Sequence, residues 1–214
     1  LEKQLPYPLG DTLPASGAAV TVAPGVKWLR MPLPFALNHI NLWLLRDEID
    51  GQPGWSVVDC GVSTDEVKTH WTPIFATELD DLPILRVIVT HMHPDHIGLA
   101  HWLCERWHAR LWISATDYGQ ARISVDGSTG FGGDSAAAFF ASHGLTAPAP
   151  VAKLQRRSNS YAPPVPALPT HYRRLADCDA QRYGRRPWRC LPCHGHPVTP
   201  THMSIPQTHA RPKS

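Results

Sequence analysis

The chain has 214 residues, of which 43% are hydrophobic and 18% are charged. This composition allows a buried core, and the length predicts one domain rather than two. Twenty Lys and Arg against 18 Asp and Glu leave a formal net charge of +2, so the charge does not favour binding to nucleic acid or to a membrane surface.

Features that would direct the chain to a membrane or out of the cell are not evident in the sequence. No stretch approaches the roughly 18 apolar residues of a membrane span, and the first residues lack the basic start and apolar run of a signal peptide. Five cysteines in a chain of this length predict reduced thiols rather than a disulfide framework. We therefore expect a cytoplasmic protein with neither a membrane nor a nucleic acid as partner.

The first part of the chain predicts short strands separated by Pro, Gly and Asn. These strands span residues 18–22, 26–31, 40–45 and 55–60. The first three predict an antiparallel meander. After the fourth we expect a helix that is capped by Ser63 or Thr64 and runs to about Leu79, with Pro73 as a point where it kinks or divides.

The middle of the chain predicts an α/β arrangement. Residues 84–89 form an apolar run that one Arg interrupts, which is typical of a central strand covered on both faces. Apolar residues at helical spacing over 97–107 and a further strand at 111–113 then give the order β-α-β-α-β. A layered α/β sheet follows from this order.

The last third of the chain is rich in proline. Twelve of the 22 prolines lie in residues 145–214, and each removes a backbone donor and fixes φ. After a helix over 134–143 we expect little regular structure there, apart from a hairpin formed by 171–175 and 188–191. The glycine-rich residues 127–133 lack the Lys-Ser/Thr ending of a phosphate-binding loop and predict a flexible connector.

Three imidazoles and a carboxylate follow the predicted central strand within six residues. They belong to His91, His93, Asp95 and His96. In an extended segment His91 and His93 point the same way and can grip one ion, and the bend at Pro94 turns Asp95 and His96 to another side. Nitrogen and carboxylate ligands suit zinc, iron or manganese better than calcium or magnesium. This arrangement has room for one metal site or two adjacent ones at the carboxyl end of the strand, where α/β sheets place their sites.

The order His-x-His-x-Asp-His after a buried strand resembles the signature of the metallo-β-lactamase superfamily of metal-dependent hydrolases. The earlier run Val57-Val58-Asp59-Cys60-Gly61 resembles the strand of this family that ends in Asp-x-Gly. The resemblance extends from about residue 20 to about residue 196. It implies an α/β fold, the four-layer αβ/βα sandwich of two similar halves, with one or two metal ions at the sheet edge.

The resemblance also implies which residues hold the first metal. His91 and His93 would be joined by a later histidine, for which His196 in Gly195-His196 is the match and His194 is an out-of-register alternative. The implied cofactor is one or two zinc ions, with iron or manganese as alternatives. The implied partner is a small-molecule substrate, an ester, thioester or lactone, that a metal-activated hydroxide attacks.

Further roles that the resemblance implies concern carboxylates. Asp95 would orient the hydroxide or accept its proton, and with His96 it would begin a second metal site. Asp59 would support the metal site by contacting its ligands without binding the metal itself. An ordinary turn residue at the end of a strand is the other interpretation of Asp59.

The family pattern is incomplete towards the end of the sequence. The family needs a downstream Asp that bridges two metals and then a last His, whereas no Asp or Glu follows Asp179. Residues 197–214 hold four prolines and few apolar residues, so we expect no strands or helices there. We therefore predict an incomplete hydrolase domain over residues 1–196, with the second half of the sandwich cut short, and an irregular tail over 197–214. His202 and His209 of this tail are expected to be solvated, and a role as substitute metal ligands is the alternative.

Alternatives remain open for the cysteines and for the function. Cys190-Leu191-Pro192-Cys193-His194 matches the pattern of c-type haem attachment, and Cys190 and Cys193 with His194 or His196 also have the spacing of a zinc knuckle. The chain is expected to be a metal-dependent hydrolase, or else a catalytically impaired member of the family that binds one metal through His91, His93 and His196.

Overall fold

Seven strands form one sheet in which the order of the strands follows the chain. The computed structural model describes residues 8–34, 37–126, 133–156, 161–176, 180–183, 186–192 and 201–204. The strands of the large sheet are β1 (Ala19–Ala23), β2 (Val26–Pro32), β3 (His39–Ile49), β4 (Gln52–Val58), β5 (Ile84–Ile88), β6 (Arg110–Ile113) and β7 (Tyr172–Arg174). The fold class is α/β, as the sequence predicts.

The pairing of these strands confirms both the predicted meander and the predicted α/β order. Strands β1 to β4 pair antiparallel, and β4 to β7 pair parallel. In β5, Val87 lies opposite Val57 of β4 and Leu111 of β6. The strand that carries the His motif therefore has a hydrogen-bonded neighbour on each side.

Helices connect the parallel strands, since such strands need a crossover rather than a tight turn. The helices are α1 (Asp65–Thr77), α2 (Pro94–Ile97), α3 (Ala100–Trp107), α4 (Ala115–Val125), α5 (Gly133–Ser142) and α6 (Pro148–Gln155). Helix α1 links β4 to β5, α2 and α3 link β5 to β6, and α4 to α6 precede β7. In the described ranges, none of the helices has the length and apolar character needed to cross a bilayer.

Helix α1 begins where the sequence predicts. The side chain of Thr64 accepts a hydrogen bond from the amide of Val67, 3.2 Å away, and so satisfies a donor of the first turn. Asp65 and Glu66 add negative charge at the positive end of the helix dipole. Pro73 lies inside the helix without dividing it.

The centre of the large sheet, at β4 and β5, is buried on both faces. Neighbouring residues of one strand belong to two different apolar clusters, because side chains alternate across a strand. Val57 lies in the cluster between the sheet and the helices, and Val58 in the cluster on the opposite face. Val87 and Ile88 divide in the same way. This double burial explains the continuous apolar run of β5.

The one Arg in that run is held by a buried ion pair. Arg86 Nε lies 2.7 Å from Asp47 Oδ2, and the guanidinium stacks over the ring of Trp112 at 4.6 Å. Ser56 donates a 2.5 Å hydrogen bond to the same carboxylate. These polar groups come from β3, β4 and β5 and lie on the sheet face that carries Val58 and Ile88.

A second, antiparallel sheet lies beside this face. Its strands are β8 (Ala180–Tyr183), β9 (Arg186–Pro192) and β10 (Thr201–Ser204), in the order β10-β9-β8. Cys190 of β9 is buried in the same apolar cluster as Val58 and Ile88. The second half of the sandwich is thus represented by three described strands, against seven in the first sheet.

Two expectations for the last third of the chain are wrong. The predicted hairpin of 171–175 and 188–191 does not form, because β7 pairs with β6 in the large sheet and β9 pairs with β8 and β10. The expected absence of strands after residue 196 fails at Thr201–Ser204, which contains no proline and pairs with the backbone of β9. The boundary predicted at residue 196 lies outside the described residues, as do 127–132 of the glycine-rich segment.

Two helices were not expected from the sequence. Helix α4 buries only Asp117, Ala121 and Ser124, so its sequence lacks the apolar periodicity by which helices are found. Helix α6 lies in the proline-rich stretch. Its prolines, Pro148 and Pro150, occupy the first turn, where the missing N–H groups would have no helical partner.

The helix expected over 97–107 is divided at Gly98. A Cβ at this position would lie 2.5 Å from the carbonyl oxygen of Pro94 and 2.7 Å from those of Gly61 and Pro164. Backbone from three segments therefore meets at Gly98, between α2 and α3. This contact fixes the end of the His motif against the loop that follows β4.

We expect Gly98→Ala to lower the free energy of unfolding by about 2 kcal/mol, since backbone atoms must move to admit the methyl group. The φ of Gly98 is −50°, so the cost is steric and not conformational. Gly119→Ala in α4 is the matched control, because nothing lies within 4 Å of its Cβ position, and we expect it to stabilise the protein slightly. Urea denaturation of both variants measures the difference. Equal free energies of unfolding for the two variants would contradict the close backbone contacts at Gly98.

Candidate metal centre

The His motif lies where β5 leaves the sheet. The parallel strands β4, β5 and β6 end at the same edge, at Val58, Ile88 and Ile113. The backbone then bends through residues 90–93 and enters α2, for which His93 is the N-cap. This edge is the usual position of binding sites in α/β sheets.

The three imidazoles of the motif form one contiguous cluster. His91 Nε2 lies 3.2 Å from His93 Nδ1, and the ring of His96 packs against His91 with 3.8 Å between centroids. His96 therefore lies against His91, whereas the bend at Pro94 is expected from the sequence to turn it to another side. The segment is bent instead of extended, and α2 returns His96 to the ring of His91.

Asp59 holds the motif from the neighbouring strand. It directly follows β4, is 5% exposed and adopts a left-handed φ of 61°, which is uncommon for a residue other than glycine. Its Oδ1 accepts a 2.8 Å hydrogen bond from the amide of Thr90, and its Oδ2 lies 2.8 Å from His96 Nδ1. The Thr90 hydroxyl lies within 3.0 Å of both oxygens. Asp59 is thus more than an ordinary turn residue, because its carboxylate joins the end of β4 to the motif.

His96 lies between two carboxylates. In addition to the contact with Asp59, its Nε2 lies 3.3 Å from Asp95 Oδ2. Burial lowers the pKa of His96, but the charge and hydrogen bond of Asp59, with those of Asp95, outweigh this and raise it to about 10. Burial raises the pKa of Asp95, and the hydrogen bond and charge of His96 more than reverse this, so the pKa is lowered. Without a metal, this pair is therefore ionised at neutral pH.

The pKa of His91 is shifted in the opposite direction from that of His96. Burial, followed by the charge of His96, lowers its pKa to about 4. Its ring is therefore neutral at pH 7, which is the form in which imidazole binds a metal.

The donor atoms fit a zinc ion in chemistry and in spacing. Tetrahedral zinc with bonds of about 2.0–2.1 Å to nitrogen sets two ligand atoms about 3.3 Å apart. The 3.2 Å between His91 Nε2 and His93 Nδ1 is close to this value. Over the described residues, no group of three or more His, Cys, Asp or Glu side chains is arranged to hold a metal ion. The His91–His93 pair has the spacing for two ligands of one ion, and none of the described residues completes a set of three.

Comparison with known proteins places the chain in a family. A model of the metallo-beta-lactamase superfamily matches residues 37–171, more than half of the chain. The chain belongs to the metallo-beta-lactamase superfamily. The matched region includes Asp59 and the whole His motif, so the family identified from this motif is confirmed. None of the curated proteins that were compared matches the chain.

Solved structures of the superfamily resemble this chain over most of its length. A beta-lactamase domain protein from Burkholderia ambifaria is 50% identical with a TM-score of 0.84, and the alignment covers 95% of this chain and 57% of that one. A metallo-beta-lactamase family protein from Thermus thermophilus is 22% identical with a TM-score of 0.65, covering 86% and 57%. The second likeness supports the fold alone. The chain spans about 57% of the length of both relatives.

Several residues that the sequence assigned to the superfamily site lie outside the described residues. These are His196, its alternative His194, and the Cys193 needed by the haem and zinc-knuckle alternatives. The other cysteine of that motif, Cys190, is buried in the apolar cluster beneath β9. The backbone of His202 lies in β10, opposite Leu191, and His209 is not described. The third ligand of the superfamily site stays a prediction.

Three residues that contact the motif were not found from the sequence. Thr90 bridges Asp59 and the rings of His91 and His96. Asp117 accepts a 3.2 Å hydrogen bond from the amide of Met92, and the hydroxyl of Tyr161 donates to the carbonyl of Met92. The pattern Ser114-x-x-Asp117, which resembles a capping box, could have pointed to Asp117. No local signal identifies Tyr161, which is 69 positions away from Met92.

We expect Asp59→Asn to lower the pKa of His96 in the metal-free protein, because the largest favourable interaction of the charged ring is with Asp59. The folded pKa of about 10 exceeds the ordinary 6.5, so the stabilisation is complete below pH 6.5 and disappears as the pH rises towards 10. The stability difference between wild type and variant should shrink over that range. Urea unfolding with a chelator present, from pH 6 to pH 10, measures it.

The control for this prediction is Asp65→Asn, which removes a fully exposed carboxylate of α1. Its stability difference from wild type should be small and should not shrink over the same pH range. NMR titration of the His96 ring gives its pKa directly. An unchanged His96 pKa in Asp59→Asn would show that the contact between the two residues is absent in solution.

Proposed function

We propose that this chain is a metal-dependent hydrolase whose site is centred on His91 and His93. The observation that carries the proposal is the pair of imidazole nitrogens 3.2 Å apart at the carboxyl end of β5, inside the region that matches the superfamily. Zinc is the proposed metal, because the donors are imidazole nitrogens and carboxylate oxygens. Iron and manganese remain the alternatives that this donor set admits.

His91, His93 and His196 are the proposed ligands of the first metal ion. A zinc ion bound there would act as a Lewis acid and lower the pKa of a water molecule towards neutrality. His91 is ready to bind because its lowered pKa keeps the ring neutral. Asp95 and His96 are the proposed start of a second site, and His96 must release its proton before it can bind a metal.

Asp95 is the proposed proton acceptor of the reaction. Its lowered pKa keeps it ionised at neutral pH, and a base must be unprotonated to accept a proton. Its side chain is 22% exposed, so it can be reached from solvent. Asp59 is fully occupied by Thr90 and His96, and its proposed role is to orient His96.

The proposed substrate is a small molecule with an ester, thioester or lactone group. The superfamily resemblance supports this class, because a metal ion held by such residues would polarise the carbonyl oxygen of the scissile group. The formal net charge of +2 over 214 residues offers no strong field for a polyanion, which favours a small substrate over nucleic acid.

A second candidate function is metal binding without useful turnover. It is favoured by one observation, that residues 180–214 contain no Asp or Glu, so this stretch supplies no carboxylate to bridge two metal ions. In that case a single ion bound through His91, His93 and His196 would be the whole site.

We expect His93→Ala to lose most of the bound metal, because it removes one of the two nitrogens that form the pair. His143→Ala is the matched control, since this exposed ring contacts only Phe139 and Ser142 in the described structure, and it should keep the wild-type metal content. Elemental analysis of the purified proteins after zinc loading gives the metal equivalents per chain. Equal metal content in the two variants would overturn the proposed site.

Hydrolysis assays on the same samples decide between the two functions. Wild-type protein and His143→Ala should hydrolyse at least one of a panel of thioesters, lactones and aryl esters, and His93→Ala should be slower by about 100-fold or more. One equivalent of metal with no turnover of any panel member would instead support the metal-binding candidate.

A further inference from the structure

The backbone of Met92, between the first two histidines of the motif, is held on both sides by side chains from distant parts of the chain. Asp117 Oδ1 accepts a hydrogen bond from the Met92 amide at 3.2 Å. The hydroxyl of Tyr161 donates to the Met92 carbonyl. We propose that Asp117 and Tyr161 are positioning residues that set the geometry of His91 and His93 for metal binding, an inference that rests on the proposed function.

The two hydrogen bonds act on different peptide groups. The Met92 amide belongs to the peptide that joins it to His91, and its carbonyl belongs to the peptide that joins it to His93. Rotation of either peptide would move the attached imidazole and change the 3.2 Å separation of His91 Nε2 and His93 Nδ1. The orientations of both peptide groups are therefore fixed by residues outside the motif.

The motif needs such partners because its backbone is irregular. Residues 90–93 form bends instead of a strand or helix, so the sheet and helix ladders do not satisfy the amide and carbonyl of Met92. Met92 as a whole residue is 3% exposed, so water has little access to these groups. Buried backbone groups require hydrogen-bond partners, and Asp117 and Tyr161 provide them here.

Asp117 is held rigidly in its role. It lies in the first turn of α4 and is 0% exposed. Its Oδ2 accepts a 2.5 Å hydrogen bond from the hydroxyl of Ser114, and its amide donates to the same hydroxyl at 3.0 Å. Ser114 already caps the helix, so capping does not require the buried carboxylate of Asp117. The other oxygen of that carboxylate serves Met92.

Tyr161 lies on a segment that is itself anchored beside the motif. The carbonyl of Pro164 accepts a 3.1 Å hydrogen bond from the amide of Ser63, in the loop before α1. The same carbonyl is one of the three that meet at Gly98, and Val165 is fully buried. The tyrosine hydroxyl is therefore presented to Met92 by fixed backbone.

Tyr161→Phe tests the proposal by removing the hydroxyl while keeping the ring. Tyr118→Phe is the matched control, because Tyr118 also donates to a backbone carbonyl, that of Pro169, at 2.8 Å, and makes no described contact with the motif. We expect zinc affinity, measured by competition with a chromophoric chelator, to fall about 10-fold or more in Tyr161→Phe. It should change by less than about 2-fold in Tyr118→Phe. Equal affinities in both variants would overturn the role of Tyr161.

Asp117→Ala and Asp117→Asn test the hydrogen bond that the Met92 amide donates to Asp117. The alanine variant should weaken zinc binding by a similar factor, and the asparagine variant should recover part of it, because an amide oxygen can still accept from Met92. A purely structural role would lower thermal stability without this rescue of affinity. Zinc affinity of Asp117→Ala equal to that of wild type would overturn the role of Asp117.

Hydrogen exchange in the metal-free proteins separates this proposal from the proposed function. The Met92 amide should be protected in wild type and Tyr118→Phe and should exchange at least about 10-fold faster in Asp117→Ala. Unchanged protection in that variant would overturn the proposal whether or not zinc binds. A wild-type chain that binds no zinc but shows the expected loss of protection would contradict the proposed function and leave the hold on Met92 established.

Discussion

The candidate site depends on how the chain leaves the sheet at the end of β5. Once the strand ends, its backbone loses the hydrogen bonds of the ladder, and the residues that carry the imidazoles must find other partners. Two buried carboxylates provide them from opposite sides. Asp59, after β4, binds the amide of Thr90, and Asp117, after β6, binds the amide of Met92. The segments that follow β4 and β6 thus fix the loop after β5, just as the strands themselves pair with β5 in the sheet.

This arrangement places opposite electrostatic demands on adjacent imidazoles. His91 is held neutral by burial, and His96, whose ring centroid is only 3.8 Å away, is held protonated by Asp59 and Asp95. Two positive rings at this distance would repel each other, so the neutrality of one helps the charge of the other. In the metal-free cluster, the neutral His91 ring and the charged His96 ring therefore stabilise each other's protonation states.

The parts of the site that were predictable from the sequence are those encoded in a local pattern. His91, His93, Asp95 and His96 lie within six residues, and Asp59 belongs to an equally short pattern, a strand that ends in Asp-x-Gly. The direction of His96 was not predictable, because it depends on a bend and a short helix whose geometry the spacing alone does not specify.

The parts that were missed depend on contacts between distant segments. Tyr161 reaches Met92 across 69 positions, and nothing near Tyr161 in the sequence marks it. Helix α4 is not predictable from apolar periodicity, because the side chains that it buries are small or polar. The pairing of β9 is not predictable from its sequence, because a strand-like run identifies a strand but not the strand with which it pairs. Strands β1, β2, β5 and β6 and helix α1 lie within one or two residues of their predicted bounds, whereas β3 ends four residues later and β4 begins three residues earlier than predicted.

The buried ion pair of Asp47 and Arg86 has a consequence for the alignment of the sheet. With Ser56 it spans β3, β4 and β5, across the junction where antiparallel pairing changes to parallel pairing. A slip of one residue in any of these strands would turn a charged or polar side chain into the apolar layer beneath the helices, leaving its partner without compensation. The ion pair therefore disfavours a shifted register of these strands. The register of β4 and β5 in turn determines that Asp59 and the histidines lie side by side at the same edge of the sheet.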